Sequence, residues 1–190
     1  MRKIVIVFGT RPEAIKVAPV IDRLRSCTAR FRTVVCVTAQ HREMLDGALG
    51  MFGLFPDYDL DIMKKAQDLF DVTANSLIGL RKVFQREKPD IVMVQGDTTT
   101  AFAAGLSAFY LKIPVAHIEA GLRTYNAHSP FPEETNRRLL SLMTDFHFAP
   151  TAWAKANLTR EGVAGERVWV TGNTVIDALF ETVKGQKNRQ

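Results

Sequence analysis

Short apolar runs alternate with longer stretches of helical period along almost the whole chain, and this alternation limits the fold more than any other feature. The runs at 3–8, 33–38, 91–95, 115–118, 146–149 and 168–170 are rich in Val, Ile and Phe, with a shorter candidate at 58–62. They are apolar on both faces, as strands of a sheet covered on both sides must be. Between them, 13–25, 42–52, 69–86, 99–111, 133–142, 151–161 and 174–183 carry helical spacing. In the first of these, Ile15, Ala18, Val20, Ile21 and Leu24 can share one face. Pro12 and Pro132 stand where a first turn begins, and Gly53 and Gly162 follow helical stretches. Strand and helix in alternation require right-handed crossovers, so the pattern predicts an α/β fold with a doubly wound parallel sheet.

A chain of 190 residues fills one such domain and leaves little for a second. Its net charge of +5 comes from scattered basic residues rather than a run, which argues against a nucleic-acid-binding arm. No stretch approaches the ~20 apolar residues of a membrane span. The run at 3–8 is too short for a signal-peptide core. Cys27 and Cys36 lack Cys-x-x-Cys spacing and read as two reduced thiols. These features set the expectation of a soluble, cytoplasmic protein with neither membrane nor nucleic acid among its partners.

Acidic residues stand where apolar runs end. Asp97 follows 91–95 in Gly96-Asp97-Thr98-Thr99-Thr100, and Glu119 closes 115–118 before Ala120-Gly121. In a parallel sheet both emerge at the carboxyl edge, where open α/β sheets bind ligands. Glu133 is a third candidate, in Pro130-Phe131-Pro132-Glu133-Glu134. Each has a plain structural reading as well. Asp97 suits an N-cap, and Glu133 and Glu134 favour the positive end of a helix. Three carboxylates on successive loops of one edge nevertheless point to acid/base chemistry. The first βα turn, Phe8-Gly9-Thr10-Arg11-Pro12-Glu13, is not Gly-x-Gly-x-x-Gly, which disfavours a dinucleotide across it. Its helix N-terminus offers amides to an anion, Arg11 adds a fork suited to phosphate, and Lys16 can point back to the same crevice. His41, His117, His128 and His147 show no ligand spacing, so no metal site and no cofactor is expected. His117 reads as a core histidine, and His128 lies in the loop 124–129, a candidate lid.

Six segments, FGTRPEAIKVAPV, VTAQHREML, PDIVMVQGDTTTAFAAGLSAFY, IPVAHIEAGLRT, SPFPEETNRRL and VTGNTVIDAL, together resemble the bacterial non-hydrolysing UDP-N-acetylglucosamine 2-epimerases. The resemblance runs from residue 3 to about residue 180. It implies two Rossmann-like domains facing each other across a cleft, the glycosyltransferase-B arrangement. It also implies interconversion of UDP-N-acetylglucosamine (UDP-GlcNAc) and UDP-N-acetylmannosamine (UDP-ManNAc), with UDP eliminated to a 2-acetamidoglucal and then re-added. Such a reaction serves surface-polysaccharide synthesis. Carried over by position, Asp97, Glu119 and Glu133 match the acid/base carboxylates, with Asp97 first choice for C2. Arg11 and Lys16 match basic residues near the diphosphate and the sugar. Arg137, one turn after Glu133, is expected to pair with it and to face the substrate. Some members carry an effector site for UDP-GlcNAc. Gln40 and His41 match it, whereas Glu43 and Ala66 depart from the regulated pattern. The family also implies a homodimer.

The resemblance implies a protein roughly twice this length, so the chain reads as the N-terminal half. Residues 1–170 would form the sheet domain and 171–190 the crossover helix towards a UDP-binding domain. An apolar patch is expected on the outer face near 13–25 and 174–183. A half of this kind would be inactive or weak alone. A non-catalytic nucleotide-sugar module, or half of a related glycosyltransferase or hydrolysing epimerase, remain as alternatives.

Overall fold

The computed structural model describes residues 1–39, 42–63 and 66–187. Gln40 and His41, the candidate effector residues, lie outside them. Among the described residues the strands are β1 (Arg2–Phe8), β2 (Phe31–Val37), β3 (Tyr58–Asp59), β4 (Ile91–Gln95), β5 (Val115–Ile118), β6 (Phe146–Ala149) and β7 (Val168–Val170). They form one sheet in the order β3-β2-β1-β4-β5-β6-β7, every pairing parallel. The helices are α1 (Arg11–Ser26), α2 (Arg42–Met51), α3 (Leu69–Glu87), α4 (Thr99–Tyr110), α5 (Glu133–Met143), α6 (Ala152–Arg160) and α7 (Val175–Lys187). The candidate strand at 58–62 shrinks to Tyr58–Asp59.

The strand period of two divides the core into layers. Ile4, Ile6 and Phe8 of β1 join Val35, Val37 and Met93 under Ala14, Val17, Ala18 and Ile21 of α1. Val5 and Val7 turn the other way, with Val92 and Val94, under Leu80, Val83 and Phe84 of α3 and Ala101, Ala104 and Ala108 of α4. A smaller cluster, Ala120, Ala149, Ala154, Leu158 and Val168, anchors α6 to the β5–β7 side. Each large aliphatic side chain so buried contributes about 1.5–3 kcal/mol, which makes β1 the spine of the domain.

From β1 the chain builds outward to β2 and β3, then crosses back to β4 on the other side of β1. That reversal opens a crevice between the carboxyl ends of β1 and β4. Gly9 lies at its floor. A side chain there would run into the hydroxyls of Thr38 and Thr100, which lie 3.0 Å apart, so only glycine lets the backbone pass.

Candidate active site

The first βα turn closes on itself. Thr10 is the N-cap of α1, and Glu13 completes a capping box. Glu13 Oε2 accepts from the amides of Gly9 (3.0 Å) and Thr10 (2.8 Å) and from Thr10 Oγ1 (2.8 Å). Its Oε1 accepts from Thr98 Oγ1 at 2.7 Å, across the crevice on the β4–α4 turn. Glu13 is buried, and burial raises its pKa against the pull of these four hydrogen bonds. The amides of Gly9 and Thr10, just before α1, are thus taken by an internal carboxylate. Arg11 and Lys16 line a cleft of about 660 Å³ with Thr10, Pro12, Ile15, Met44 and Val175.

Asp97 follows β4 through Gly96, whose φ of +72° is left-handed and suits glycine. The N-cap of α4 is Thr98, whose hydroxyl accepts from the amide of Ala101 at 3.0 Å. Asp97 is thus not needed as a cap, contrary to its plain structural reading. Three contacts hold its turn: Gly96 N–H donates to Ile118 O (3.0 Å), His117 Nε2 meets Gly96 O (2.7 Å), and Asn136 Nδ2 donates to Asp97 O (3.0 Å). A carbonyl only accepts, so His117 carries its proton on Nε2. Burial pushes the His117 imidazole down to about 3, which keeps it neutral. It is a core histidine, as expected, but with Nδ1 unpartnered among the described residues.

The Asp97 carboxylate meets Arg137 Nη2 at 2.5 Å. The same guanidinium reaches the fully buried Glu134 at 3.4 Å. The expected pairing of Arg137 with Glu133 is therefore replaced by pairings with Asp97 and Glu134. The cause is helical geometry: Arg137 and Glu134 lie on the inward face of α5, while Glu133 is only half-buried at its first turn. Glu134 also accepts from the amides of Thr124 and Tyr125, both at 3.0 Å, which ties the loop 124–129 to α5. Burial raises the Asp97 pKa, Arg137 opposes the rise, and the charges of Glu119 and Glu133 add to it.

Glu119 closes β5 at φ +69°, a left-handed conformation that costs a non-glycine residue about 1–2 kcal/mol. Its carboxylate is held from two sides. Lys16 Nζ donates to both oxygens (2.8 and 2.7 Å), and Asn173 Nδ2 donates to Oε2 at 3.0 Å. Backbone strain concentrated at such a residue is a mark of functional sites. Sequence reasoning missed Glu13 and Asn173. A capping-box pattern, Thr10 to Glu13, was the available signal for the first.

The structure thus brings Asp97, Glu119, Glu133, Lys16 and Arg137 to one edge, with Arg11 exposed at the cleft mouth. Asp97 and Glu119 come from the ends of the neighbouring strands β4 and β5, each paired with a cation, and Glu133 opens α5. Among the described residues no cluster of His, Cys, Asp or Glu is arranged to hold a metal ion. Nor is any helix among them long and apolar enough to cross a membrane.

A family model described as UDP-N-acetylglucosamine 2-epimerase matches residues 25–190. The UDP-N-acetylglucosamine 2-epimerase of Neisseria meningitidis is 56% identical over 185 residues, covering 97% of this chain and 50% of that protein. The Campylobacter jejuni enzyme of the same name is 52% identical over 189 residues, covering 99% and 49%. The crystal structure of the N. meningitidis enzyme bound to UDP-GlcNAc superposes with a TM-score of 0.93 at 56% identity, over 97% of this chain and 50% of that one. The Methanocaldococcus jannaschii enzyme in complex with UDP-GlcNAc and UDP gives 0.89 at 40%, over 94% and 49%. A lipopolysaccharide outer core galactosyltransferase, WaaB, shares the fold alone, with a TM-score of 0.63 at 12% identity over 88% and 44%. The chain spans about half the length of the curated relatives it matches.

Proposed function

This chain belongs to the UDP-N-acetylglucosamine 2-epimerase family, and we propose that it supplies the carboxylate-bearing wall of a cleft that interconverts UDP-GlcNAc and UDP-ManNAc. One observation carries the reading: Asp97 and Glu119 emerge side by side from the carboxyl ends of the paired strands β4 and β5, each held by a cation, Arg137 and Lys16. A C2 proton with no neighbouring carbonyl is weakly acidic. Its removal must accompany departure of the leaving group, and reprotonation from the opposite face needs a second acid/base group. Asp97 takes the C2 proton as the C1–O bond breaks, so that UDP leaves and a C1=C2 double bond forms. Glu119 or Glu133 returns a proton to the other face of C2 as UDP re-adds. Arg11 and Lys16 stabilise charge developing on the departing diphosphate. Arg137 keeps Asp97 ionisable despite burial and orients it towards the sugar.

Residues 1–170 act as the sheet domain, and 171–190 as the crossover to a second, UDP-binding domain. The apolar residues exposed on α7, Ile176, Leu179, Phe180 and Val183, support that role, since they lie where further chain can cover them. Exposed Ile78 on α3, Phe109 and Tyr110 on α4 and Leu142 on α5 support a homodimer formed through these helices. Two free cysteines accord with a cytoplasmic site of action. The test is to incubate the chain with UDP-GlcNAc in D2O, alone and with the C-terminal half of a full-length relative, following C2–H by NMR. Exchange by the paired halves is expected. No exchange in either arm would refute the reading, and release of UDP without its return would move the chain to a transferase or hydrolysing class.

A further inference from the structure

Asn173 lies between β7 and α7, and its one side chain makes two contacts in opposite directions. Nδ2 donates to Glu119 Oε2 at 3.0 Å, while Oδ1 accepts from the amide of Val175 at 3.1 Å. Its backbone carbonyl also accepts from the amide of Ile176 at 3.1 Å, so the residue forms the entry to the helix. Because the carboxamide is planar, turning it away from Glu119 also turns it away from the helix. The Glu119 carboxylate is held by Lys16 on α1 and by Asn173 before α7. Ala178 of α7 is buried, and α7 packs on α1. The two helices therefore grip one carboxylate between them.

We infer that Asn173 is a positioning residue for Glu119, coupling the orientation of this carboxylate to the seating of α7. The inference rests on the proposed function only for its meaning, with Glu119 as a proton-handling group and α7 as the way to a second domain. A shift of α7 then changes how Glu119 is held, so rearrangement of a partner domain is felt at the reacting edge without touching it. A helix cap alone has no such reach, because it ends at Val175.

The test uses the whole chain and amide hydrogen exchange read by NMR, in the wild type, Asn173→Ala, Glu119→Ala and the double variant. Asn173→Ala should raise exchange at the Val175 amide about tenfold, the loss of its one side-chain acceptor, while Ile176 keeps the backbone carbonyl of residue 173. Glu119→Ala, remote in sequence from α7, should raise exchange at the Val175 amide several-fold and do nothing further there once Asn173 is Ala. Glu119→Gln, which still offers an oxygen to Asn173 Nδ2, should restore most of the protection. An equal effect of Glu119→Ala in both backgrounds, or none in either, overturns the coupling. General destabilisation gives the first of these patterns, with exchange at Ile6 and Val94 rising too. Either failure leaves the deuterium test of the proposed function standing, since that assay reads the reaction and this one reads only the helix.

Discussion

Replacing Arg137 with Met removes one cation from between two carboxylates, and the consequences can be worked from the geometry. The guanidinium contacts Asp97 and Glu134, with only 11% of its side chain exposed. At roughly 4 Å between charge centres and an effective dielectric of about 20, each attraction is about 4 kcal/mol, much of it offset by desolvation. Removing one partner of a buried pair costs about 3–5 kcal/mol because the other charge is left uncompensated. Asp97 keeps 25% of its side chain exposed, so the lower end, about 3 kcal/mol, is expected in urea denaturation near neutral pH. The sign of the pH dependence follows from Asp97. Burial already raises its folded pKa above the ordinary 3.8, and loss of Arg137, the main opposing influence, raises it further. Above the unfolded value, the folded state then holds a proton that the unfolded state has released. Stability falls as pH rises through that window, and recovers as pH falls. The Arg137→Met deficit should therefore shrink as pH falls from neutral and Asp97 takes up a proton above the ordinary carboxylate range. In an Asp97→Asn background the deficit should drop by about 1.5–3 kcal/mol, the worth of a charged hydrogen bond. A deficit that is the same in both backgrounds and flat with pH would refute this account of the pair.

Glu13→Gln sets an amide where a carboxylate accepts four hydrogen bonds, and should cost about 2 kcal/mol in chemical denaturation. Because the folded pKa of Glu13 is raised above 4.5, the wild type gains stability as pH falls and the variant does not. The gap should therefore widen on acidification, opposite to Arg137→Met, and a gap that narrows would contradict the buried-carboxylate reading. Gly9→Ala forces a methyl group against the Thr38 and Thr100 hydroxyls and should cost about 2–3 kcal/mol by thermal or urea unfolding. A loss under about 0.5 kcal/mol would show that the crevice floor is not packed as described.

The fold was legible because its strands are short, apolar and closed by polar residues. The runs ending at Phe8, Gln95 and Ile118 mark β1, β4 and β5 without ambiguity, and parallel pairing follows from the helices between them. That Asp97 and Glu119 share an edge follows from the same rule. Partnerships were harder to read. Arg137 is expected to pair with Glu133, but the inward face of α5 gives it Glu134 on its own helix and Asp97, forty residues back in the chain. Asp97 and Thr98 are both good caps, and a one-residue difference in where α4 begins decides between them. Glu13 reads as an acidic residue at a helix start, and only tertiary structure shows that it bridges to Thr98 across the crevice. Asn173 gave no signal at all, since its partner Glu119 lies 54 residues away. Local pattern specifies elements, and long-range contacts specify chemistry.

Deuterium incorporation at C2 of UDP-GlcNAc, compared between wild type and Asp97→Asn when each is combined with the C-terminal half of a relative, tests the central claim most directly. Thr98 caps α4 unaided and an asparagine oxygen can still accept from Arg137, so the variant should stay folded, with a loss of no more than about 1.5–3 kcal/mol in urea unfolding. Its exchange rate should fall by about 10²- to 10⁴-fold, the contribution of a positioned base. Wild-type exchange from a folded Asp97→Asn protein would contradict the assignment of Asp97 as the group that takes the C2 proton.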